Sequence, residues 1–132
     1  MGKGKKILIG VGVLVLVLVV AFRVLVNRLE SNLEALNNMT IEEVDLNTIK
    51  DGIYEGSYGS FPVSATVEVT VKNHRITEVE LVDHSNGQGQ PAEVLPEKVV
   101  DSQSVKVDAI SGATYSSRVI LKAIETALAN PQ

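Results

Sequence analysis

Val63-Ser64-Ala65-Thr66-Val67-Glu68-Val69-Thr70-Val71 alternates apolar and polar residues without a break. That is the period-two signature of a strand with one buried face. Asn73-His74 follows as a tight turn, and Arg75 to Val82 forms the return strand, with Ile76, Val79, Leu81 and Val82 as its apolar members. Upstream, Asp51-Gly52-Ile53-Tyr54-Glu55-Gly56-Ser57-Tyr58-Gly59 reads as a further, glycine-punctuated strand with aromatic positions. A long hairpin with helices on either side in sequence defines an α+β class: a small antiparallel sheet packed with helices.

Past the hairpin, Ser85-Asn86-Gly87-Gln88-Gly89-Gln90-Pro91 is a loop by composition. Ala92 to Val100 has a helical pattern that Pro96 either starts or makes irregular, and Gln103 to Val107 is expected to be a short extended segment. The C-terminal helix is the clearest one. Apolar residues recur at Val119, Ile120, Ala123, Ile124, Ala127 and Leu128, a one-faced pattern packed on a core. Immediately before it stands Asp108-Ala109-Ile110-Ser111-Gly112-Ala113-Thr114. Thr114 then lies at or near the helix start, beside unpaired N–H groups and the positive end of the helix dipole, where an anion such as phosphate is favoured. Gly112 permits positive φ and keeps the approach to Thr114 clear. The same residue types also suit a plain helix cap, with no ligand at all.

Asp108, Ser111, Gly112, Ala113 and Thr114, followed by Ser116-Ser117 and the helix, resemble the flavinylation motif of the FMN-binding domain family. That family includes a subunit of the sodium-translocating NADH:quinone reductase and one of the related Rnf complex. The resemblance extends over residues 48 to 129 through Asp51-Gly52-x-Tyr54-x-Gly56, the long hairpin, and a return strand ending near His84. It implies that Thr114 carries FMN through a phosphoester bond, installed from FAD by a flavin transferase with a divalent metal. It further implies that Asp108 shapes the turn and is recognised by the transferase. Candidates to surround the flavin are Ser111, Gly112, Ala113, Tyr115, Tyr54, Tyr58, His84 and the loop from Asn86 to Gln90; for the tyrosines, core packing is the competing role. The loop lacks the Glu-Thr-Pro-Gly element of the respiratory subunits, so the chain is more similar to the short stand-alone members.

The N-terminus adds a second part. From Ile7 to Phe22 the residues are apolar throughout, and with Val24-Leu25-Val26 the run reaches the length of a bilayer core. Residues 1–6 are expected in the cytoplasm, 7–26 as a transmembrane anchor in the lipid bilayer, 27–47 as a helical stalk or linker that either extends the membrane helix or docks on the domain, and 48–132 as the FMN-binding domain. Lys3, Lys5 and Lys6 put the domain outside the cytoplasm by the positive-inside rule; a cleaved secretory signal would leave it in the same place. Thr40-Ile41-Glu42-Glu43 has the form of a capping box and predicts one further short turn.

Charge and composition restrict the function. Residues 1–28 hold five Lys or Arg and no acid, so the remainder carries seven basic and sixteen acidic residues. This argues against nucleic acid as partner. With no cysteine, thiolate metal sites, iron–sulfur clusters and disulfides are excluded for the chain alone. His74 and His84 are the only histidines, so a metal site is not expected. The expected role is a membrane-tethered electron carrier between a membrane electron donor and an external acceptor. The alternatives are a flavin-bearing subunit of a membrane oxidoreductase, or an anchored domain without redox function.

Overall fold

The computed structural model describes residues 2–85 and 89–129. They form α1 (Lys3–Asn38), β1 (Gly52–Ser60), β2 (Val63–Lys72), β3 (Arg75–Ser85), α2 (Leu95–Ser102) and α3 (Thr114–Ala129). The chain divides into two compact units between Asn32 and Leu33. In the first, α1 is long and apolar enough to cross a membrane. Ile7, Leu14, Leu18 and Phe22 are exposed along it, as a lipid-facing helix requires.

The second unit is the α+β domain. Its antiparallel sheet has the order β1-β2-β3, with the turn Asn73-His74 between β2 and β3 at positive φ at both residues, the geometry that suits the twist of a hairpin. Asp51 Oδ1 accepts the Asn73 N–H at 2.9 Å and so ties β1 to that turn. On β2 every odd residue from Val63 to Val71 is buried, and α3 lies across β1 and β2 while α2 packs on β3. Val119, Ile120, Leu121, Ala123, Ile124, Ala127 and Leu128 of α3 fill the core, each larger side chain contributing about 1.5–3 kcal/mol.

Gly56 sets how closely helix and sheet approach. A Cβ there would stand 2.2 Å from the Ala123 carbonyl oxygen and 2.5 Å from the Ala127 nitrogen. Tyr54, two residues earlier on the same face, is buried, and its hydroxyl donates to the Lys50 carbonyl at 2.5 Å.

Several local expectations are corrected. Thr40 to Glu43 forms no helical turn; Glu43 instead accepts from the Ser104 hydroxyl at 2.7 Å, and the Glu42 N–H is bound by Glu125 Oε2 at 3.3 Å. The short 3-10 turn comes later, at Leu46–Thr48, with Asp45 accepting the Asn47 N–H. The segment from Leu33 packs in the domain: Leu36 and Ile49 are buried, and Arg118 Nη1 donates to the Met39 carbonyl at 2.7 Å. Helix α2 begins at Leu95 after a 3-10 turn over Gln90–Val94, with Pro96 in its first turn, where the missing N–H costs nothing. Residues 103–105 form a turn and bends in place of the expected extended segment, and 106–107 belong to no strand. Gln103 has φ 55 and ends α2. Its side-chain amide accepts the Ile76 N–H at 2.8 Å and donates to the Ile76 and Val100 carbonyls, which occupies the backbone groups a further strand would have paired.

Candidate functional site

The motif reaches the end of the sheet where β1 stops and β2 starts. Ala113 N–H donates to the Ile110 carbonyl at 3.0 Å, closing a turn over Ser111-Gly112 in which Gly112 has φ 82. A side chain at that position would be strained. Ser117, fully buried on α3, holds the turn from inside: its hydroxyl donates to the Ala113 carbonyl at 2.7 Å and accepts the Ile110 N–H at 2.9 Å. Ser117 N–H also bonds Ala113 O, the first hydrogen bond of the helix.

Ala113 therefore occupies the cap position, and Thr114 is the first residue of α3. The Thr114 hydroxyl has no hydrogen bond among the described residues, and neither do the backbone N–H groups of Thr114, Tyr115 and Ser116. Among the described residues, a hydroxyl that caps nothing thus stands beside three unpaired amides at the positive end of a 16-residue helix. Next to it opens a pocket of about 220 Å³ lined by Val63, Gly89, Gly112, Ala113, Thr114, Tyr115 and Ser116. A neighbouring hollow of about 250 Å³ runs along Gly59 to Ser64 and Ser85 and shares Val63 with it. Phe61, in the turn between β1 and β2, is 70% exposed at its edge, and Tyr115 is 40% exposed.

His84 arrives by a change of register. Val67 pairs with Leu81, Thr66 with Asp83 and Ala65 with His84, so the strand gains one residue at Val82. This bulge turns Val82 outward and gives His84 the same facing as Leu81 and Val79. The His84 side chain is only 2% exposed. Its Nε2 lies 3.0 Å from the Ser116 hydroxyl and its Nδ1 lies 3.0 Å from Glu93 Oε1.

The structure thus brings Gly112, Ala113, Thr114 and Tyr115 to one pocket and puts His84 behind its wall, through Ser116, instead of in the lining. Ser111 is exposed outside the pocket, and Asp108 is exposed, capping nothing among the described residues, in a separate hollow with Lys98, Asp101 and Lys106. Tyr54 does not join the site: it pairs with Val69 toward the far end of the sheet and belongs to the core. Tyr58 also packs against the core. Of the loop from Asn86 to Gln90, residues 86–88 lie outside the described residues, Gly89 lines the pocket and Gln90 opens the 3-10 turn. Sequence reading missed Ser117 as the staple and Glu93 as the partner of His84; the Ser116-Ser117 pair after the motif was the available signal for the first.

An accessible hydroxyl beside amides that are free among the described residues, at a helix start with a pocket alongside, is an arrangement that suits an anionic ligand. The model of the FMN-binding domain matches residues 61–129, the stretch that runs from the turn before β2 to the end of α3. The chain belongs to the FMN-binding domain family. It is 34% identical over 87 residues to an uncharacterized protein of Treponema pallidum, covering 64% of this chain and 24% of that protein. It is 34% identical over 109 residues to an NADH:acrylate oxidoreductase of Vibrio harveyi, covering 75% of this chain and 10% of that enzyme. The chain spans about a quarter and a tenth of the lengths of these two relatives.

Proposed function

We propose that the protein is a membrane-anchored flavoprotein that carries FMN through a phosphoester bond to Thr114 and passes electrons between a membrane donor and an acceptor outside the cytoplasm. The observation that carries this reading is the Thr114 hydroxyl at the first position of α3, unengaged among the described residues, with three N–H groups beside it that are free in the same sense. If Thr114 were only a cap, its oxygen would accept an N–H of the first turn; among the described residues it accepts none, and Ser117 does the local stapling instead.

The residues fit the group. The free amides suit a phosphoryl group, the pocket beside Thr114 has room for the phosphate and sugar-alcohol chain, and the adjoining hollow with Phe61, Pro62 and Val63 offers apolar surface to a ring system. Thr114 Oγ1 forms its bond to the FMN phosphorus of FAD as AMP leaves, and the hydroxyl proton passes to a base of the flavin transferase, which also supplies the metal. Asp108, exposed and without a partner among the described residues, is available to that enzyme. When bound, the flavin supplies one- and two-electron chemistry, and the protein supplies its position. Helix α1 supplies the anchor, and the basic residues ahead of it favour a cytoplasmic N-terminus.

Denaturing gel electrophoresis of the full chain coexpressed with a flavin transferase tests the attachment, since only covalent flavin keeps its fluorescence on the band. The band is expected to fluoresce in the wild type and to be dark in Thr114→Ala. Protease applied to intact cells is expected to digest the domain; protection of the domain would overturn the assigned side of the membrane.

A further inference from the structure

The pocket at Thr114 and the hollow beside it are lined, among the described residues, without a carboxylate, lysine, arginine or histidine. The flanking charges are engaged elsewhere: Arg118 donates to the Met39 carbonyl, and Glu93 faces His84. An enzyme that must find one hydroxyl in one orientation has no charge to read at that hydroxyl. Upstream the surface changes. A separate hollow of about 520 Å³ lies between α2 and the run that leads into the motif, with Lys98 and Asp101 on the helix and Lys106 and Asp108 on the run. All four are exposed. Lys98 and Asp101 stand three positions apart on α2, a spacing at which opposite charges meet. Yet among the described residues no ion pair or side-chain hydrogen bond engages any of the four.

The run itself is equally unengaged. Val107, Asp108 and Ala109 belong to no helix or strand, and among the described residues their backbone N–H and C=O groups have no partner. On either side the backbone is tied: the Lys106 N–H bonds the Ser104 hydroxyl at 3.0 Å and the Ile110 N–H bonds Ser117 Oγ at 2.9 Å. Free backbone between two fixed points forms a short edge with which another extended chain can pair. Exposed Asp108, Ala109, Ser111 and Gly112 continue this edge to Thr114.

We propose that this edge, with Lys98 and Asp101 across the hollow, is where the enzyme that modifies Thr114 grips the domain, through an extended segment bearing one acidic and one basic side chain. The inference rests on the attachment proposed above and extends the enzyme's contact from Asp108 to Lys98, Asp101, Lys106 and the backbone of 107–109. The reach is adequate. Asp108 to Thr114 spans at most about 21 Å of chain, and one side of a standard interface covers about 800 Å², a patch roughly 30 Å wide. Charges of both signs fix the direction in which the segment lies, acid toward lysine and base toward aspartate, so that Thr114 meets the enzyme in one orientation.

Initial rates of flavin attachment to the full chain in detergent, with purified transferase, FAD and Mg²⁺, test this as the chain concentration is varied. In the double variant Lys98→Glu, Lys106→Glu the KM for the chain is expected to rise about tenfold while kcat stays within roughly twofold, because the hydroxyl and its surroundings are unchanged. Lys72→Glu with Arg75→Glu makes the same change in charge at exposed positions of the β2–β3 turn, and is expected to keep the wild-type KM. In Thr114→Ala, which binds without being modified, the amides of Val107, Asp108 and Ala109 are expected to exchange more slowly once transferase is added. An unchanged KM in the first double variant, an equal rise in both, or unprotected amides overturns the docking site while attachment in the wild type stands. A wild-type chain that gains no flavin mass overturns attachment and docking together.

Discussion

Gly56 lies against the Ala123 carbonyl so closely that a Cβ would meet it at 2.2 Å. This contact fixes the distance between β1 and α3, and through α3 it fixes where Thr114 stands relative to the end of β2. Backbone cannot yield as a flexible side chain does, so Gly56→Ala is expected to destabilise the domain by about 3 kcal/mol or more. Thermal or urea unfolding of the full chain in detergent checks this; a change under 1 kcal/mol would mean that helix and sheet slide freely.

Tyr54 is predicted to matter for folding and not for flavin. Tyr54→Phe loses the hydrogen bond to the Lys50 carbonyl and is expected to cost about 1 kcal/mol. The fraction of protein carrying flavin should equal that of the wild type. Reduced flavin content at unchanged stability would return Tyr54 to the site.

Ser117→Ala removes the group that bonds both Ile110 N–H and Ala113 O. Leaving a buried donor unpaired predicts a loss of about 1–3 kcal/mol. The motif turn also loses its inner tie, so flavinylation by the transferase should slow while Ser117→Thr retains part of the rate. Timed mass spectra of the modification reaction measure this.

The outer face of the sheet carries a like-charge repulsion. Glu55, Glu68 and Glu80 stand directly opposite one another across the three strands. Like charges facing each other across strands oppose pairing. Glu68→Lys converts both contacts to attractions and is expected to stabilise by about 0.5–1 kcal/mol, with the gain shrinking in high salt. Equal gains at low and high salt would assign the effect to propensity instead.

The strands were legible because their period is set by the buried face: β2 follows its alternation residue by residue, and α3 follows its apolar stripe. The bulge at Val82 was not legible, since an extra residue in one strand shows only in its pairing with another; without it His84 would face outward. Thr40 to Glu43 satisfies a local capping pattern but is drawn straight by tertiary partners, Glu43 by Ser104 and the Glu42 amide by Glu125. The Asp51-Gly52-x-Tyr54-x-Gly56 piece was read beside the flavin motif because the two resemble the same family. Its physical role is scaffold: Asp51 holds the β2–β3 turn, Tyr54 fills the core and Gly56 admits α3. Thr114 at the helix start was readable from periodicity, whereas the lack of a partner for its hydroxyl among the described residues required the structure.

The most direct test of the central proposal is the intact mass of the full chain coexpressed with an active flavin transferase, measured beside Thr114→Ala. Covalent attachment at Thr114 predicts an added mass equal to FMN less one water in the wild type and none in the variant. An unmodified wild-type mass, with the transferase active on another substrate, would contradict it, as would an added mass that survives in Thr114→Ala.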